Sequence, residues 1–143
     1  MKPSFRYTVI LLAIFFLVFA SSGCSNDTKK FAEISNGLAK CINQLGKEPG
    51  ITLTGFASDP NKNLFKVGIG IDRNIMTNEQ LKQVILSFLI NAASYTSEHD
   101  AKKMLEPYNL QIEEIAEDRS GSWLIAEKPS GSTEISWKDK DIK

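Results

Sequence analysis

The hydrophobic period of this chain switches from about 3.6 residues to 2 and back again, and that alternation limits the fold more than any single residue does. Phe31, Ile34, Leu38, Cys41, Ile42 and Leu45 recur at intervals of three and four. They predict a helix from Phe31, capped by Asp27 or Thr28 and ended by Gly46. Gly37 in its middle costs about 1 kcal/mol relative to Ala. Period two follows in residues 51–56 and 64–71, where Phe65, Val67, Ile69 and Ile71 share one face. Turn formers between Ser58 and Asn63 join the two runs into an antiparallel hairpin. Gly55, Gly68 and Gly70 leave little side chain on one face, which lets a helix or another backbone approach.

Helical spacing then returns. Thr77 followed by Gln80 three residues on reads as a capping box, opening a second helix that runs to about Tyr95. Leu81, Val84, Ile85, Phe88, Ala92 and Tyr95 form its core stripe. Ala101, Met104 and Leu105 suggest a short third helix stopped by Pro107. Strand character resumes over residues 109–115, with a bulge near Glu113, then over 122–127, and in an edge-like alternation of Thr133, Ile135 and Trp137. The fold class expected is α+β. Two or three helices cover one face of a four- to five-stranded antiparallel sheet in the order α-β-β-α-(α)-β-β-(β), because amphipathic helices need a sheet face to cover. One domain spans residues 31–137, and residues 138–143 form a charged tail.

The front of the chain has another character. Lys2 and Arg6 precede an apolar block from Val9 to Ala20, and Ser21-Ser22-Gly23-Cys24 follows. A basic start, about a dozen apolar residues and small residues at the exit are the parts of a secretory signal. The thirteen residues from Thr8 to Ala20 would span roughly 20 Å as a helix, short of a hydrocarbon core of roughly 30 Å. Ser21-Ser22-Gly23-Cys24 resembles the lipobox of bacterial lipoproteins, with Ser21 where Leu is commoner. The resemblance covers the signal region only. It implies removal of residues 1–23, a lipidated Cys24 as the first mature residue, and residues 24–30 as a polar tether. It also implies a place on the extracytoplasmic face of the cell membrane, held through that lipid, since two acyl chains anchor stably.

Removing the front takes away Lys2 and Arg6 and leaves 15 basic against 17 acidic residues. Such a balance provides no basic face for nucleic acid. With Cys24 lipidated, Cys41 has no partner, and its apolar helical neighbours predict a buried, unpaired thiol. No cofactor and no metal site is expected. Residues 59–70 begin like a calcium loop but carry Leu64 and Gly70 where Gly and Glu are needed. Gly68-Ile69-Gly70 lies in a strand and lacks the third glycine of a dinucleotide motif. His99, between Glu98 and Asp100, has no second ligand to complete a metal site.

No catalytic residue is named. Glu113, Glu114, Glu117 and Asp118 are expected to be a solvated strand end rather than an acid–base pair. The remaining signal is a surplus. Leu86, Ile90 and Ala93 form a second apolar stripe on the second helix, to be covered by the first helix or by the Met104–Leu105 segment, or else to serve as a partner surface for a second copy or another protein. The functional expectation is a non-enzymatic envelope lipoprotein that binds or positions another envelope component. A small extracytoplasmic hydrolase, or an adaptor or assembly factor of a membrane complex, is the alternative.

Overall fold

The computed structural model describes residues 24–138. The signal-like front, residues 1–23, and the tail from residue 139 lie outside them. The chain divides after Phe31 into two compact units. The packing below is that of the second unit, Ala32–Lys143. The elements of the described residues follow the order α1 (Cys24–Leu45), whose first residues belong to the first unit, β1 (Ile51–Asp59), β2 (Leu64–Ile71), α2 (Asn78–Ala93), α3 (Ala101–Leu105), β3 (Asn109–Ile115), β4 (Ser122–Lys128) and β5 (Ser136–Trp137). This is an α+β fold with every expected element present.

Local chemistry accounts for most boundaries. Helix α1 begins at Cys24, so the residues expected to form a tether are helical. Asp27 falls in its first turn, where a carboxylate meets the positive end of the helix dipole. The β1–β2 hairpin turns through a 3-10 segment, Pro60–Lys62, which Asp59 caps by accepting from the Asn61 N–H at 3.0 Å. Asn63 closes the turn with a left-handed φ of 47°. Helix α2 opens on the expected capping box: the Gln80 N–H donates to Thr77 Oγ1 at 3.2 Å and the Thr77 N–H to Gln80 Oε1 at 2.9 Å. It ends at Ala93, two residues before Tyr95, which therefore leaves the helical phase. Tyr95 is exposed instead of lying in the core, and Lys40 sits 5.1 Å from its ring centroid.

The five strands of the described residues lie in sequence order, β1-β2-β3-β4-β5. Pairing is antiparallel except between β2 and β3, which run parallel. The sheet is therefore mixed, where an antiparallel one was expected. Helices α2 and α3 intervene between β2 and β3, and a connection of that length can return the chain to the end where β2 began. Phe65 and Val67 face Leu110 and Ile112 across this parallel pair, and all four are buried. Ile34, Leu38, Cys41 and Leu45 from α1 and Leu81, Ile85, Phe88 and Leu89 from α2 complete the core.

Two details depart from expectation. The bulge lies opposite Glu113: Ile112 pairs with Ala126 and Glu113 with Leu124, so the extra residue is Ile125 on β4. Consecutive Ile125 and Ala126 are both buried as a result. The glycine face of β2 meets a side chain at Gly68, where a Cβ would lie 2.8 Å from Ile115 Cδ1, and the neighbouring strand at Gly70, where a Cβ would lie 3.2 Å from the Leu53 backbone nitrogen, but no helix. The close helix approach occurs at Gly37 instead, where α1 meets the last turn of α2. A Cβ there would lie 2.8 Å from the Ala92 carbonyl oxygen.

Candidate functional site

An open cleft of about 460 Å³ runs between α2, α3 and the segment leading into β5. Leu86, Leu89 and Ile90 line its α2 wall, Ala101 and Leu105 its α3 wall, and Ile135 and Trp137 the third side. Leu89 and Leu105 are core residues whose flanks reach the cleft, whereas Leu86 and Ile90 are 47% and 62% exposed. Trp137 projects to the helix side because its strand partner, Ala126, does so, and the Lys82 ammonium stands 5.8 Å from its ring centroid.

The cleft is held open by a polar frame behind it. Asp100 caps α3, its carboxylate accepting from the Lys102 and Lys103 N–H groups at 2.9 and 3.1 Å. Lys128, 2% exposed, donates to the carbonyls of Ser132, Pro129 and Glu106 at 2.9, 3.0 and 3.4 Å. Burial pushes its pKa down, with the Glu106 carboxylate acting in the other direction. The Gly131 N–H donates to the Glu106 carbonyl at 2.7 Å, and Ser130 Oγ to the Pro107 carbonyl at 2.8 Å. These bonds tie the end of α3 to the β4–β5 connection. At the rim Lys102 pairs with Glu134 at 2.7 Å, and His99 and Asp100 stand nearby on an exposed turn where His99 has a φ of 54°.

The structure separates the three residues of the second α2 stripe, read from the sequence as either covered within the domain or a partner surface. Leu86 and Ile90 line the cleft, but Ala93 is fully buried and belongs to the core. Sequence reasoning missed Leu105, Ile135 and Trp137 as cleft walls. The signal is present in part, since Ile135 and Trp137 fall on one side of an edge-like alternation.

A second, polar cavity of about 340 Å³ lies at the ends of β2 and β3, lined by Thr52, Asp72, Arg73, Asn74 and Glu117 among others. Its arginine is already engaged. Arg73 forks onto both oxygens of Glu114 through Nε and Nη2, and its Nη1 donates to Asn78 Oδ1 at 2.6 Å. Glu114 is only 7% exposed, so the acidic group is not uniformly wet as expected. Glu113, one residue earlier, faces the other side of the sheet. There it accepts from Lys66 Nζ at 3.0 Å and Ser122 Oγ at 2.8 Å, and the Ser122 and Lys66 hydrogen bonds pull its pKa down. Glu117 and Asp118 are exposed. Adjacent strand residues point to opposite faces, so Glu113 and Glu114 cannot flank one substrate.

Cys41 is buried and free, and burial raises its pKa. Among the described residues no three His, Cys, Asp or Glu side chains gather as a metal would need, and no helix is long and apolar enough to cross a membrane. Comparison with protein-family models, curated proteins and solved structures finds no match for this chain.

Proposed function

We propose that this chain is a non-enzymatic lipoprotein, anchored through lipid on Cys24 to the extracytoplasmic face of a bacterial cell membrane, whose cleft takes an apolar segment of another envelope protein. The anchor rests on the lipobox resemblance of Ser21-Ser22-Gly23-Cys24. The binding role rests on one observation: α2 leaves Leu86 and Ile90 exposed on the wall of an apolar cleft. A soluble domain gains by burying such side chains, so their exposure beside Trp137 favours an occupant. The volume suits a few side chains, and the two-signed rim of Lys102, Glu134, His99 and Asp100 offers donors and acceptors to a peptide backbone.

Two experiments test this reading. Mass spectrometry of the membrane-extracted protein should show an acylated Cys24 at the N-terminus, and Cys24→Ser should release the chain. Unchanged processing and membrane association in that variant would overturn the anchor. A photocrosslinker placed at Ile90 in the anchored chain should yield an adduct with an envelope protein that disappears when Leu86→Glu or Trp137→Ala is added. An adduct indifferent to both changes, or none, would overturn the cleft as the binding site.

A further inference from the structure

The sheet ends in two unequal edges. Strand β5 comprises two residues, whereas β1 comprises nine and, among the described residues, pairs with β2 alone. Exposed edges are normally blunted by lysine, proline, a bulge or a covering element. Residues 51–58 of β1, Ile-Thr-Leu-Thr-Gly-Phe-Ala-Ser, contain no charge and no proline, and their one irregularity falls between Ile51 and Leu53 at the strand's end. Apart from Ile51 N–H to the Glu48 carbonyl, no backbone hydrogen bond of β1 among the described residues runs outside the sheet. Successive residues of an edge strand turn their N–H and C=O groups alternately toward the neighbour and away, so about half of those in β1 face outward.

The layer above continues this surface. Helix α1 lies over β1: Ser35 Oγ bonds Ser58 Oγ at 3.0 Å, and a Cβ on Gly46 would lie 3.2 Å from Thr54 Oγ1. Ser35, Ala39, Ile42 and Gly46, at helical intervals, therefore run along the β1 side of α1. None is charged. Glu33 and Lys40 lie on the opposite flank, toward Ser97 and Tyr95 of the α2 side. Charge is thus absent from residues 51–58 and from these four α1 residues, while Asp59 at the end of β1 is engaged in its own turn, capping Asn61 and pairing with Lys62.

We propose that β1 and this flank of α1 form a two-fold interface joining two copies of the chain into one continuous sheet. A single foreign strand would satisfy the edge of β1 but leave the α1 stripe uncovered. Only a partner carrying a helix at the same height above its edge strand covers both. A second copy, rotated about a two-fold axis perpendicular to the sheet, sets β1 antiparallel to its counterpart and brings the two α1 helices together on the same face. The small side chains of Ser35, Ala39 and Gly46 permit an interaxial distance of about 8–10 Å. This interface is separate from the cleft and independent of what the cleft binds.

The test is the oligomeric state of the full chain purified in a mild detergent, by sedimentation velocity with the detergent contribution matched out. The expected result is a dimer that Ala39→Glu and, separately, Ala57→Lys weaken by about tenfold or more while circular dichroism stays unchanged, since both residues are exposed. Mixing Ala39→Glu chains with Ala39→Lys chains should restore a mixed dimer. A wild-type chain that stays monomeric at tens of micromolar, a dimer indifferent to both variants, or one dissociated instead by Leu86→Glu would each overturn the proposal.

Discussion

Replacing Gly37 by Ala should destabilise this protein, although the same change in an isolated helix would stabilise it. Helix propensity alone favours Ala by about 1 kcal/mol. Against that, the new Cβ would lie 2.8 Å from the Ala92 carbonyl oxygen and 3.3 Å from Thr96 Cγ2. The first contact decides the sign. Ala92 belongs to the last turn of α2, and its oxygen is held by the Tyr95 N–H at 3.1 Å, so it cannot rotate away as a flexible side chain would. Relief requires α1 and α2 to separate by roughly half an ångström at their crossing, and overpacking of this kind costs about 1–3 kcal/mol. The net expectation is a loss of about 1 kcal/mol, which in a domain of this size lowers Tm by about 4 °C. Gly37→Val should be worse. Thermal and urea unfolding of Gly37→Ala beside Asn36→Ala, one residue away on the exposed surface, isolates the packing effect from propensity. A Gly37→Ala variant more stable than the parent, by the amount propensity alone supplies, would refute the close crossing of the two helices.

Three other outcomes follow from titratable groups that are buried or half-buried. Arg73→Ala, which leaves the Glu114 carboxylate buried without its fork, should cost about 3 kcal/mol in urea unfolding, whereas Arg73→Met with Glu114→Leu should recover most of it; equal losses in both would show that the pair is solvated. Because hydrogen bonds from Ser122 and Lys66 lower the pKa of Glu113 in the folded state, its stabilisation is present above the ordinary glutamate pKa and lost as pH falls through the lower folded value. Glu113→Gln should therefore flatten the loss of stability below about pH 4, and an unchanged acid limb would contradict the assignment. Cys41, 1% exposed with its pKa raised by burial, should react with a bulky maleimide only at the rate of unfolding, so fast labelling under native conditions would count against its burial.

What could be read from the sequence was whatever repeats locally. The Thr77–Gln80 box, the third helix before Pro107 and the strand at residues 109–115 are each specified by residues within a few positions of one another, and they form where expected. The parallel pairing of β2 with β3 leaves no such mark, because a half-buried strand alternates in the same way whichever direction its neighbour runs. Glu114 shows the same limit in another form. It follows Glu113 in a polar-looking strand end, and its partner Arg73 is 41 residues away in sequence. The buried ion pair becomes visible only once β2 and β3 are adjacent and their ends coincide.

The second stripe of α2 shows how far periodicity can carry a site. Leu86, Ile90 and Ala93 point within about 60° of one another at about 100° per residue, so the sequence groups them correctly by direction. Their fates differ because direction does not say how far a neighbouring element extends. The last turn of α2, which holds Ala93, is also the turn that α1 crosses at Gly37, and there the surface is closed. One and two turns earlier α3 and the approach to β5 stand off from the helix, propped by the bonds of Lys128 and the Asp100 cap, and the stripe stays open as a cleft wall. A polar change at position 93 should therefore report on folding and one at 86 or 90 on binding. Ala93→Glu that left unfolding unaltered while abolishing capture of a partner would mean that the stripe is open along its whole length, contrary to this division.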